Sequence, residues 1–340
     1  MRRPTITDIA RRAGLTKTAV SFALNGQPGV SEDTRRRVLD IAQEIGWQPH
    51  SAARALSDGR ANAFGLVIDR PARMLGVEPF FMQLIAGIQG ELADAHISLL
   101  FTVAQDQDAE IELYRSWWAQ RRVDGVFLVN LQVDDRRVDV LAELRLPTLV
   151  IGSAEGAGDL PAVWFDEDAA VRTVVEHLVA LGHRRIARVT GIPGLWHTKL
   201  RTDAFLDAAS GLGVTGVCAE GDYTQDSGVR ATRELLESAQ PPTAIVYDND
   251  IMAISGALTA QRMGRRLPAD LSIVAWDDSP LCELVHPALT ALHRDIGAHG
   301  AHAARRLMDA ERGVTVGGLE EAPYLLVRRG STGPAPAPAG

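Results

Sequence analysis

Polar side chains stand directly after several short apolar runs in this 340-residue chain. Asp69 closes AFGLVID and Asp166 closes VWFD; Asn249 and Asp250 follow TAIVYD, and Asp277 and Asp278 follow SIVAW. His197 and Arg201 open the segment after RIARVTG, Tyr223 lies in the loop after GVCAEGD, and Phe80, Phe81 and Trp196 add aromatic surface. Carboxylates, amides and guanidinium groups hydrogen-bond hydroxyls, and aromatic rings pack on sugar faces, so this set suits a polyol or sugar. Asp and Asn in such places also serve as N-caps of the next helix, which is the preferred reading for Asp250. No G-x-S-x-G elbow or phosphate-binding loop occurs, and no acid and base pair with a mechanism is evident.

The runs themselves read as buried parallel strands: 63–69, 97–103, 125–129, 148–152, 185–191, 243–248 and 271–277. Segments with helical spacing, such as DAAVRTVVEHLVALGH at 168–183, lie between them. Repeated strand–helix units imply doubly wound α/β sheets, and their number suits two subdomains with a cleft between them. Ligands in such sheets bind beyond the carboxyl ends of the strands, which is where the polar set falls.

A different chemistry marks the amino-terminal end. Residues 1–60 carry ten basic and six acidic side chains, a balance of +4, whereas the remainder balances at −12. A basic head on an acidic body suits a polyanionic partner for the head alone. Within TITDIARRAGLTKTAVSFALN, Thr5 and Asp8 form a capping-box pattern that starts a helix near Ile6. Gly14 supplies the left-handed turn that ends it, and Thr16 caps a second helix over about 17–24 with Val20 inward. A small residue at Ala10, a turn glycine and a locking apolar residue are the logic of a helix-turn-helix. Ser31 caps a third helix whose inner face is Val38, Ile41, Ala42 and Ile45, ended by Gly46. In PHSAARALSDGR, 49–60, Pro49 opens a helix of barely two turns, marginal alone and able to order against a minor groove with Leu56 as a wedge.

These motifs, in this order, resemble the lactose-repressor/galactose-repressor family of bacterial transcriptional regulators. TITDIARRAGLTKTAVSFALNG is similar to that family's opening helices, PGVSEDTRRRVLDIAQEIGWQPH to its third, and SAARALSDGR to its hinge helix, and the likeness extends over about residues 5–330. The resemblance implies a periplasmic-binding-protein-like core, a homodimer and a pseudo-palindromic double-stranded operator. It implies that Ser21, Asn25, Ser31 and Thr34 hold phosphates, that Lys17 and Thr18 at the capped end beside Thr16 reach base edges, and that Leu56 with Ala53 enters the minor groove. Ala19 and Phe22 depart from the frequent threonine and arginine, and Phe22 suits a thymine methyl rather than guanine. In the core the resemblance assigns Arg201, Asn249 and Asp277 to a small-molecule effector, with Phe81, Asp166, His197 and Tyr223 beside them. Alanine at 204 replaces the glycine usual in the motif around Arg201.

The expected organisation is α/β: an all-α helix-turn-helix head at 1–48, a hinge helix and linker at 49–61, two doubly wound subdomains at 62–330 and a disordered tail at 331–340. The tail has no leucine heptad for a tetramerising coiled coil. GLGVTG at 211–216 follows a helix and precedes a strand, the reverse of a dinucleotide fingerprint. His299 and His302 lack further metal-ligand spacing and read as packing or surface residues, as does the Trp117–Trp118 pair. No cofactor or metal is implied. Cys218 and Cys282 have no disulfide spacing, no apolar run spans a membrane and no signal peptide is read, so a cytoplasmic setting is expected. A solute-binding receptor and a sugar-acting enzyme are the alternatives; the helix-turn-helix pattern argues against the first and the want of a paired acid and base against the second.

Overall fold

The computed structural model describes residues 4–47, 60–70 and 78–337. The expected hinge helix, with Ala53 and Leu56, lies outside the described residues. The chain divides into two compact units, 1–61 and 62–340.

In the first unit α1 (Ile6–Ala13), α2 (Lys17–Leu24) and α3 (Glu32–Glu44) enclose a small core of Ile9, Ala10, Ala13, Val20, Ala23, Val38 and Ala42. Local chemistry sets the boundaries. The Asp8 carboxylate accepts from the Thr5 N–H at 2.9 Å and from its hydroxyl at 2.7 Å. Gly14 ends α1 in the left-handed region at φ 65°, a conformation that costs other residues energy. Thr16 Oγ1 accepts from Ala19 N at 3.1 Å, and Ser31 Oγ accepts from Thr34 N at 3.3 Å, so both helices start on a side-chain cap. Arg37 on α3 donates to the Ala13 carbonyl and ties α3 to the end of α1.

The second unit contains two lobes. The amino-terminal lobe holds β1 (Ala63–Ile68), α4 (Pro79–Asp94), β2 (Ser98–Val103), α5 (Gln107–Ala119), β3 (Gly125–Leu128), α6 (Arg136–Leu144), β4 (Thr148–Gly152) and β5 (Ala162–Trp164). The carboxyl-terminal lobe holds α7 (Glu167–Ala180), β6 (Arg185–Val189), α8 (Trp196–Gly211), β7 (Thr215–Ala219), α9 (Gln225–Leu236), β8 (Ala244–Tyr247), α10 (Asp250–Arg262), β9 (Ser272–Trp276), the short α11 (Leu281–Leu284) and β10 (Thr290–His293). The chain then returns to the first lobe through α12 (Ile296–Glu311) and β11 (Leu319–Glu320), and crosses once more into β12 (Leu325–Val327). The sheets run β11-β5-β4-β3-β1-β2 and β12-β10-β9-β8-β6-β7, all parallel except the β10–β12 pair. Each strand order reverses beside its first strand, β1 or β6, the switch point where such sheets bind ligands. The expected α/β class and the two doubly wound subdomains hold; β10, β11 and β12 are additions that the apolar runs did not reveal.

The expected disordered tail is corrected over its described part. Ser331 is fully buried: its carbonyl accepts from Ile273 N at 2.9 Å, its hydroxyl donates to the Ile273 carbonyl at 2.6 Å and accepts from Thr290 N at 2.8 Å. Gly333 N donates to Ser272 Oγ at 3.1 Å, and Ala335 N to the Leu181 carbonyl at 2.8 Å. The proline-rich composition hides these backbone bonds, which need no apolar side chain. Ser331→Ala strands the Thr290 N–H and is expected to cost about 1–2 kcal/mol; urea unfolding checks this, and an unchanged midpoint would mean the segment adds nothing.

Candidate functional site

On the head, Lys17, Thr18, Ser21, Phe22 and Asn25 share one side of α2, opposite the buried Val20 and Ala23. Thr16, Lys17 and Thr18 are exposed at the helix amino terminus, where free N–H groups and the helix dipole favour anions. Phe22, 37% exposed, is a large apolar side chain on a polar face. Asn25 Nδ2 donates to Ser21 Oγ at 3.4 Å, and the Ser31 and Thr34 hydroxyls share a 2.8 Å hydrogen bond.

In the core a cavity of about 60 Å³ opens between the lobes at the strand carboxyl ends. Phe81, His197, Arg201, Tyr223, Asn249 and Asp277 all line it. Arg201, on α8, gives two hydrogen bonds to Glu167, Nε at 2.6 Å and Nη2 at 3.0 Å, and stacks 4.4 Å above the Trp276 ring. Asp277 accepts from Arg294 Nε at 2.8 Å, and Arg294 lies 5.0 Å above the Phe80 ring. His197 Nε2 and the Tyr223 hydroxyl are 2.7 Å apart. Gly191 makes room for Tyr223: a Cβ there would fall 1.9 Å from its hydroxyl. Asp248 accepts from Arg188 Nε and Nη2 and from the Gly191 N–H, forming a buried clamp at the end of β8.

Some assignments change. Asp166 is exposed and caps α7 through Ala169 N at 2.9 Å; the next residue, Glu167, turns inward to the cleft. Asp250 is not the cap of α10. That role belongs to Asn249, whose Oδ1 accepts from Met252 N at 2.9 Å while its Nδ2 donates to the Tyr223 carbonyl at 3.0 Å. Asn249 therefore lines the cleft with one amide hydrogen left for a ligand. Asp250 is buried, accepts from Ser279 N at 2.8 Å, and is pushed up to about pKa 6 by burial. Trp196 packs into the amino-terminal lobe's core instead of lining the cavity. His299 does line it, with Nδ1 3.0 Å from Glu321, which His302 also meets at 2.9 Å. Sequence reasoning missed Arg70, Glu78, Asn130, Glu167, Asp248 and Arg294, all at the cavity wall. Among the described residues no group of three or more His, Cys, Asp or Glu side chains could hold a metal.

The cleft's charges follow from its pairing. Burial alone would raise the Glu167 pKa, but Arg201, Arg294 and the Tyr324 hydroxyl outweigh it and hold the carboxyl at about 2. Its folded value lies below its ordinary 4.5, so it contributes stability that is present above pH 4.5 and lost as pH falls toward 2. That loss reaches at most about 3 kcal/mol. Urea midpoints from pH 6 to 3 are expected to fall more steeply in the native chain than in Glu167→Gln; parallel slopes would contradict the pairing. Burial first, then Arg201, pushes the His197 pKa well below its ordinary value, so its ring is neutral near pH 7.

Comparison with known proteins finds a family match in each of the two units. Residues 5–50 match the bacterial regulatory proteins of the lacI family, and residues 175–332 match the periplasmic binding protein-like domain. The chain is 31% identical over 320 residues to HTH-type transcriptional regulator CelR of Thermobifida fusca, covering 92% of this chain and 94% of that protein. This chain belongs to the lacI family. Another lacI-family relative, catabolite control protein A of Priestia megaterium, is 30% identical over 334 residues, 96% of this chain and 99% of its own. Among solved structures, the lac repressor dimer bound to operator and the anti-inducer ONPF aligns over 98% of this chain and 100% of its own, at TM-score 0.87 and 26% identity. The transcriptional regulator CelR–cellobiose complex aligns over 97% and 100%, at TM-score 0.74 and 28% identity. This lacI-family member is thus a DNA-binding transcriptional regulator with a ligand-binding core. Among its described residues no helix is long and apolar enough to cross a membrane.

Proposed function

We propose that this regulator is a cytoplasmic homodimeric repressor whose grip on a pseudo-palindromic operator is set by a sugar bound between the core lobes. The observation that carries the reading is the cleft itself: paired carboxylates and guanidinium groups, with Phe81, Tyr223 and His197 beside them, at the switch points of two sheets. The sugar bound by the related CelR supports the ligand class, and the operator-bound lac repressor dimer supports the partner and the two-fold assembly. Thr16, Lys17, Thr18, Ser21, Phe22, Asn25, Ser31 and Thr34 contact DNA in this reading, with Ala53 and Leu56 of the hinge at the minor groove. Phe81, His197, Arg201, Tyr223, Asn249 and Asp277 contact the sugar, which leaves unchanged; the regulators among its relatives support binding without turnover. Closing the cleft on the sugar alters the dimer and the spacing of the hinges, provided the sugar prefers one of the two states.

The test is selection of an operator from a random duplex library, followed by fluorescence-anisotropy titration with and without a panel of neutral mono- and disaccharides. The expected result is an inverted-repeat operator whose affinity one sugar weakens at least tenfold. A selected sequence without two-fold symmetry, or an affinity that no sugar alters, would overturn the reading.

A further inference from the structure

Nearly every guanidinium group and carboxylate around the cleft is already matched. Arg201 holds Glu167, Arg294 holds Asp277, and Arg188 holds Asp248. Arg70 and Glu78 differ. They stand just after β1 and just before α4, 5% and 7% exposed, and both line the cavity. Among the described residues neither Arg70 Nε nor Glu78 Oε2 has a hydrogen-bond partner, although both atoms are buried. Arg70 Nη1 lies 3.4 Å from the Asp69 carbonyl and 3.6 Å from the Asp69 carboxylate, which leaves Nε unmet, and the guanidinium lies 5.6 Å above the Tyr223 ring. Buried polar atoms left unpaired are costly, so two at one cavity wall point to a ligand that completes them.

We infer that Arg70 and Glu78 form a selector for a neutral hydroxyl group, so that the cleft admits uncharged sugars and rejects sugar phosphates and amino sugars. The inference rests on the sugar reading of the cleft and deepens it. An N–H donor and a carboxylate acceptor must both be satisfied. A hydroxyl does this from one atom, because it accepts and donates. A phosphate only accepts: it would satisfy Arg70 and meet the negative charges of Glu78, Glu167 and Asp277. An ammonium only donates: it would satisfy Glu78 and meet Arg70, Arg201 and Arg294. Burial raises the Glu78 pKa to about 7, Arg70 opposes this and Asp277 adds to it, as befits a carboxylate that lacks a donor.

Calorimetry on the full chain at pH 8, where Glu78 is ionised, tests the selector with glucose, galactose, maltose and cellobiose. Each sugar is compared with its 6-phosphate, its 6-amino-6-deoxy counterpart, whose ammonium stays mostly protonated at pH 8, and a series of monodeoxy analogues. The best neutral sugar is expected to bind roughly ten- to a hundredfold more tightly than its charged counterparts, and one deoxy position to lose a similar factor. Glu78→Gln is expected to narrow the preference over the phosphate, and Arg70→Met the preference over the amine. In either variant the sensitive deoxy analogue should lose less than it does in the native chain. Melting curves confirm that the variants are folded. Charged sugars that bind as well as neutral ones, or a deoxy scan that neither substitution alters, would overturn the selector while leaving the sugar reading in place. A panel in which no sugar binds would overturn the sugar reading and the selector with it.

Discussion

Arg201→Ala is expected to destabilise the core by about 3–5 kcal/mol, because it leaves the Glu167 carboxylate buried without its main partner. Glu167 is 4% exposed at its side chain; Arg294, 3.8 Å away, and the Tyr324 hydroxyl at 2.9 Å would then be its nearest support. The same change removes the Arg201 group that faces the cavity, so effector affinity is expected to fall roughly ten- to a hundredfold. Arg201→Lys separates the two effects. A lysine keeps a positive charge near Glu167 but loses the planar fork and the stacking on Trp276. Its melting temperature is expected to lie close to that of the native chain, while its effector response stays blunted. Undiminished effector affinity in a folded Arg201→Lys would assign Arg201 to the architecture alone.

Lys17→Ala is expected to cost about 1–3 kcal/mol in each half-site of the operator and to relax specificity at one base position. Lys17 is the first residue of α2, exposed, and shares its face with Thr18, Ser21 and Phe22. From there an ammonium can reach the acceptor edge of a guanine in the major groove. Binding to random duplex is expected to weaken much less. Salt-matched titrations on operator and random DNA check this; equal losses on both would place Lys17 on a phosphate.

The head was legible because its boundaries are written locally. Thr5, Gly14, Thr16 and Ser31 each act on backbone within a few residues, and the bounds of α1 and α2 follow from them. The strands of the two lobes were legible where burial on both faces makes a continuous apolar run. β11 and β12, two and three residues long, carry no such run and exist through pairing with β5 and β10 far away in sequence. β10 was missed as well, and that hid part of the site. Arg294 follows β10, so missing the strand meant missing the arginine that pairs with Asp277. The run ALTAL before HRD was the available signal. At 166–167 two adjacent carboxylates compete: the helix start turns Asp166 to its own backbone and Glu167 into the cleft, a difference of one position that composition cannot supply. Arg70 and Glu78 carried no sequence signal, since their interest lies in what fails to meet them after folding.

The central claim is that cleft and operator compete through one conformational equilibrium. Calorimetric titration of the full chain with the sugar that weakens operator binding, first free and then with operator at saturation, tests it most directly. In a homodimer with two sugar sites on one operator, linkage requires the product of the two sites' losses of sugar affinity to equal the factor by which saturating sugar weakens operator affinity. The account predicts that this product matches the operator factor and is at least tenfold. A sugar affinity unchanged by saturating operator would contradict it.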